Sequence, residues 1–258
     1  MRGGAQSHLL EAADGQFYVV KFLNNPQHRR ILINEWIGTS FLRYLQITAP
    51  QQALIEVTSD FLAENPEVHL VVNQRRTAVE PGWHFGSRYP GDPTRLAVYD
   101  FLPDTLLTGI LNYREFLGAL VFDKWMGNAD SRQAVFFRAA VRPWTPHPHG
   151  QGFVAAMIDH GYVFAGPEWE FADGPAQGLY FRRLVYESVR GMEDFQPWLD
   201  QVRGFPAQVV DEAMRGIPPQ WLDGDRERLE IMLEKLMVRR GRVISLIEAT
   251  TGQFPRWQ

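Results

Sequence analysis

Cysteine is absent from the 258 residues, which excludes disulfides, thiolate zinc sites and cysteine nucleophiles. No apolar run approaches the roughly 20 residues that a bilayer-crossing helix needs, and no signal peptide opens the chain. Positive charge is not in excess either: 26 Lys and Arg stand against 30 Asp and Glu, a formal net charge of −4. That balance gives no general pull toward nucleic acid or acidic membranes. No internal repeat is visible. What the chain does have is apolar content, at 45% enough to close a large core in one domain or two lobes. Together these features predict a soluble, cytoplasmic protein with no direct nucleic-acid or membrane partner.

The N-terminal part is strand-like. Leu9-Leu10-Glu11, a turn at Asp14-Gly15 and residues 17–22 read as a hairpin with a strongly β-prone second strand. Asn24-Asn25-Pro26 breaks it, and a helical period follows over 29–45. Residues 57–62 and 68–72 are short strand candidates. Residues 80–91 are turn-rich with interleaved aromatics, fit for a substrate contact, an ordered lid or a packed loop. Residues 96–102 read as another strand, which Pro103 ends. Residues 113–126 then form a mostly buried helix stopped by Gly127-Asn128. Two strands, 134–137 and 153–158, are joined by a Pro/His/Gly-rich connection at 142–152, whose His147-Pro148-His149 reads as a solvated tip. Helices fill the rest, the last over 225–246. The class is α+β, with two lobes divided near Pro103: a sheet-rich 1–103 and a mainly helical 104–258.

Chemistry-bearing residues stand at the edges of these elements. Lys21 ends an apolar strand whose two faces are both apolar, so alternation leaves its direction open. Glu35 shares the apolar stripe of the following helix, a costly place for a carboxylate without a partner. Taken alone, a surface lysine and a helix-edge glutamate that never meet is the plainer reading. Asp130 follows the buried helix, and Asp159 follows the second strand of the later pair. If those strands form a hairpin, both acids emerge at one end, where they would bind a divalent metal or divide base and metal duties. Gly3-Gly4-Ala5-Gln6, ahead of the first hairpin, is small enough for backbone amides to approach phosphate oxygens.

In order, these parts are a small-residue loop, a strand lysine, a helix glutamate, a strand through Asp100-Phe101-Leu102, a buried helix, Asp130, a hairpin and Asp159. The order resembles that of the protein-kinase-like phosphotransferases, and within them most closely the HipA-like kinases. Gly4-Ala5-Gln6 resembles that family's first loop, Met126-Gly127-Asn128-Ala129-Asp130 its catalytic loop, and Ile158-Asp159-His160-Gly161 its metal-binding segment. The resemblance implies a bilobal kinase-like fold that uses ATP and Mg2+. In it Lys21 would hold phosphates beside the small-residue loop, and Glu35 would orient the lysine. Asp130 would accept or steer the acceptor's proton, Asp159 would ligate magnesium, and Tyr99 to Leu102 would hold the adenine. HipA relatives often act beside a DNA-binding antitoxin, so the resemblance allows an antitoxin-like partner, although nothing in the sequence specifies one.

The chain departs from the family pattern in three places. Val135 stands five positions after Asp130, where such kinases carry an asparagine metal ligand; the Gln133 carbonyl, or Asp159 together with water, would hold the metal instead. His8 stands where HipA relatives commonly place a lysine, and the sequence opens directly at the first loop, where the family pattern leads one to expect a preceding strand. The leading expectation is a kinase for a protein Ser/Thr hydroxyl. The rivals are a degenerate kinase fold that binds nucleotide or a partner, a small-molecule or lipid kinase, and a metal-dependent hydrolase using Asp130 and Asp159.

Overall fold

The computed structural model describes residues 4–140 and 151–258, so Gly3 and the His147-Pro148-His149 tip lie outside the described residues. Along the chain, β1 (His8–Glu11) and β2 (Phe17–Lys21) lead into α1 (Arg30–Tyr44). Next come β3 (Gln52–Val57), α2 (Ser59–Glu64), β4 (His69–Val72), β5 (Arg75–Ala78), β6 (Gly82–Arg88) and the short β7 (Val98–Tyr99). The later part holds α3 (Asp104–Leu107), α4 (Glu115–Met126), β8 (Gln133–Ala140) and β9 (Gln151–Ile158). Short 3₁₀ turns then alternate with α5 (Trp198–Arg203), α6 (Ala207–Arg215), α7 (Pro219–Leu222), α8 (Arg226–Arg239) and α9 (Val243–Glu248). The architecture is mixed α+β. Its described strands form three antiparallel sheets, ordered β1-β2-β6-β3, β4-β5 and β7-β8-β9.

Four sequence expectations need correction. Residues 57–62 are not a strand: Val57 ends β3, and the Thr58 hydroxyl accepts the Phe61 N–H at 3.1 Å, capping α2. The turn-rich 80–91 contains β6, which lies inside the first sheet between β2 and β3, so it is neither lid nor loop. Of 96–102 only Val98–Tyr99 is strand, paired with Phe136 and Phe137 of β8. The last helical stretch is two helices, α8 and α9, separated by a 3₁₀ turn at Arg240–Arg242.

Apolar packing explains the arrangement. One face of β2, with Tyr18 and Val20 and then Phe22, closes a small core with Val57, Val68, Leu70 and Val79. The main core gathers α1, α4 and the C-terminal helices, and Phe41 of α1 stacks on Trp125 of α4 at 5.7 Å. Each fully buried Leu or Phe there contributes roughly 1.5–3 kcal/mol. Helix α4 is buried along its whole length, as its apolar sequence requires. It stops at Gly127, whose φ of +62° suits a residue without Cβ. None of the described helices is long and apolar enough to cross a membrane.

Candidate active site

Because Tyr18, Val20 and Phe22 face the small core, Lys21 projects from the other face of β2 toward α1. There its ammonium pairs with Glu35 and donates to Asp159 Oδ1 at 2.8 Å. The strand lysine and the helix glutamate therefore meet, against the plainer reading of each alone. Lys21 and Glu35 are 8% and 2% exposed, so neither charge has water as an alternative partner. The approach of α1 to Asp159 depends on Gly38: a Cβ there would lie 2.7 Å from the His160 Cβ.

Helix α1 is also hooked to the stretch behind Asp159. The buried Asn34 amide donates to the carbonyls of Gly161, Val163 and Gly166 at 2.7–3.2 Å. Its oxygen accepts the Trp169 indole N–H at 2.8 Å. One turn earlier, Arg30 pairs with Asp225, donates to the Pro167 carbonyl and lies 4.5 Å over the Trp169 ring. These contacts hold Glu35 at a fixed height against Lys21.

A second buried network supports the loop that carries Asp130. Asp123, inside α4, receives the Nε and Nη2 groups of Arg132 and the Asn128 amide. The Asn128 side-chain oxygen in turn accepts the Asp130 N–H at 3.1 Å. Arg132 Nη1 donates to the Ile158 carbonyl and to His160 Nδ1, each at 2.9 Å, on either side of Asp159. The Asp130 carbonyl accepts the Gly178 N–H, and Arg132 N–H reaches the Leu179 carbonyl. The Asp130 side chain is exposed and accepts the Ser131 N–H at 2.7 Å. Gln133 pairs with Ile158 in the β8–β9 register, so Asp130 and Asp159 emerge at one end of that hairpin.

The remaining candidates are placed as follows. Gly4 and Ala5 form a turn, and the Gln6 side chain bonds both the N–H and the carbonyl of Val71. Asp100 and Phe101 are exposed and Leu102 is buried. Arg182 bonds the Leu102 carbonyl and stacks 4.6 Å over the Phe101 ring. Gln133 is exposed. Val135 packs with Phe137, Val154 and Ala156. Among the described residues no group of three or more His, Asp or Glu side chains is gathered closely enough to hold a metal by itself.

The electrostatics follow burial and pairing. Burial works against the Lys21 charge, but Glu35 and Asp159 outweigh it and hold the ammonium above the usual lysine range. Burial would raise Asp159; Lys21 overrides it and keeps that carboxyl below the ordinary range. Burial pushes Glu35 up, opposed by the Lys21 ammonium. Burial, with Arg132 and Lys21 nearby, drives His160 well below the ordinary histidine value, so it is neutral and free to accept at Nδ1. The site thus holds one lysine among three acids, two of them in contact with it, an arrangement suited to gripping a polyanion beside a cation. Sequence reasoning missed Asp123, Arg132, His160 and Asn34. The available signal was Asp123, a carboxylate in a helix with no polar face, which demands a buried partner.

A family model described as HipA-like kinase matches residues 1–136, just over half of the chain. The match covers Lys21, Glu35, Asp130, Gln133 and Val135 and ends before Asp159. No curated protein matches.

Proposed function

The chain belongs to the HipA-like kinase family, and from that membership we propose an ATP- and magnesium-dependent phosphotransferase, bilobal in the kinase manner, acting on a protein Ser or Thr hydroxyl. The observation that carries the reading is the junction of Lys21, Glu35 and Asp159, drawn from positions 138 residues apart at the extremes. Phosphoryl transfer asks a protein chiefly to align a nucleophile and to neutralise charge on phosphoryl oxygens.

Each residue takes one part of that task. Lys21, charged throughout the neutral range, binds phosphate oxygens, and Glu35 fixes its direction. Gly4 to Gln6 borders the phosphates, and Tyr99 to Leu102 receives the adenine. Asp130, exposed beside the hairpin end, orients the acceptor hydroxyl and takes its proton as transfer proceeds. Magnesium is held by one or two carboxylates together with nucleotide phosphates rather than by a protein cage. Asp159, with 39% of its side chain exposed, fits that role. When bound, the ion supplies charge neutralisation on the phosphoryl oxygens.

A second reading, a nucleotide- or partner-binding protein with little transfer, draws on Val135, whose side chain offers no donor atom. The test takes two steps. ATP with Mg2+ at millimolar concentration should raise the melting temperature, because it binds only the folded state. Labelled-ATP transfer should then occur in the wild type and vanish in Asp130→Ala. No thermal shift refutes the first reading and the nucleotide-binding form of the second; a shift without transfer in the wild type selects the second.

A further inference from the structure

The catalytic loop and the Asp159 segment are two separate pieces of backbone, and a kinase centre needs them held in one geometry. A cation coordinated from both sides would do this. On the loop side, the position five residues after Asp130 supplies no donor atom for it. Val135 is aliphatic and packs among Phe137, Val154 and Ala156. Gln133 alternates with Ala134, which with Phe136 faces the main core, so Gln133 shares the Val135 face of β8 and is exposed there.

The holding is done by Arg132 instead. Its side chain is 1% exposed and its guanidinium reaches two further segments at once. Nε and Nη2 are anchored on Asp123 of α4. Nη1 donates at 2.9 Å to Ile158 O and at 2.9 Å to His160 Nδ1, the residues immediately before and after Asp159. The same residue lies two positions after Asp130 on the loop itself. Its five N–H groups in a rigid fork are suited to such bridging, whereas a lysine offers a single point charge.

We propose that this centre takes one divalent cation per bound nucleotide, through Asp159, and that Arg132 is the positioning residue that makes the tie a second cation would make. The inference rests on the nucleotide-binding reading above. It deepens that reading in one respect: the missing ligand at Val135 marks a one-metal centre with a built-in brace.

The test uses the full chain, Mn2+ as the probe and a non-hydrolysable ATP analogue. Free Mn2+ is followed by its paramagnetic resonance signal during titration. One Mn2+ per bound nucleotide is expected up to millimolar metal. Two per nucleotide overturns the one-metal centre and leaves nucleotide binding standing; no nucleotide-dependent uptake overturns both. The role of Arg132 is read from Arg132→Lys by two affinities, that of the nucleotide in chelator and that of Mn2+ for the nucleotide complex. A lost positioning partner lowers the second by about 10–100-fold and leaves the first, which Lys21 governs, nearly unchanged. An equal fall in both, as from general loosening of the fold, overturns the assignment, and so does no fall in either. If Arg132→Lys does not fold, Asp123→Asn takes the charge from the anchor of the fork and is read in the same way.

Discussion

Replacing Asp123 by alanine leaves the Arg132 guanidinium buried without its anion, and the cost follows from the geometry. Both side chains are at most 1% exposed, so water cannot take over from the carboxylate. Two charge-assisted hydrogen bonds and the ion pair are lost together, while the bonds to Ile158 O and His160 remain. Removing one partner of a buried pair costs about 3–5 kcal/mol, a large share of the roughly 5–15 kcal/mol that stabilises a domain. For a chain of this size the melting temperature should fall by roughly 6–20 °C. Asparagine keeps an acceptor for the fork but not the charge, and should lose roughly 1.5–3 kcal/mol. Urea unfolding followed by tryptophan fluorescence measures all three proteins; the exposed pair Arg226–Glu230, cut by Glu230→Ala, serves as the control and should change stability by less than about 1 kcal/mol. The apolar double replacement Asp123→Leu with Arg132→Met should recover most of the lost stability, since buried pairs exchange for packed hydrophobes at little net cost. Nucleotide-dependent metal affinity should stay lost in it. If Asp123→Ala costs less than about 1 kcal/mol, the pair is not dry and the reasoning fails.

Lys21→Met should weaken ATP by at least about tenfold, the worth of one charged hydrogen bond, in a calorimetric titration; unchanged affinity would remove the lysine from the phosphate site. Asp130→Ala should abolish labelled-phosphate transfer while the ATP-induced thermal shift stays within a degree or two of the wild type; full transfer would unseat it. His84 is fully buried, and burial lowers it to about 4. Its folded value lies below its unfolded one, so the unfolded chain takes up the extra proton and stability falls with pH from about 6.5 down to about 4. The gap corresponds to roughly 3 kcal/mol, and His84→Gln should flatten that part of a urea-midpoint against pH curve; an unchanged slope would refute it.

The elements that were legible in the sequence are those whose local signals agree. The first hairpin, α1, α4 with its glycine stop, and the β8–β9 pair follow from period and punctuation, and the structure places them within a few residues. β6 was hidden because Pro81, Gly82, Gly86 and Pro90 punctuate a segment whose Trp83 and Phe85 favour strand. It is strand because β2 and β3 pair with it on both sides, a nonlocal condition. The same applies to the site. Residue type and order single out Lys21, Glu35, Asp130 and Asp159, but whether the lysine touches the glutamate depends on which face of β2 meets α1. The side chains that brace these four come from helix interiors and strand ends, where a single Asp, Arg or Asn carries no motif.

One amide has a wider reach than its size suggests. Because Asn34 bonds three carbonyls and an indole of the 161–169 stretch, that stretch and α1 are mechanically a single part. Glu35 cannot retreat from its lysine by a swing of α1 alone without tearing four bonds at once, so any withdrawal of the helix must carry the 161–169 stretch with it. Chimeras between relatives should exchange the two stretches as a matched set, and amide protons in both should open to deuterium together.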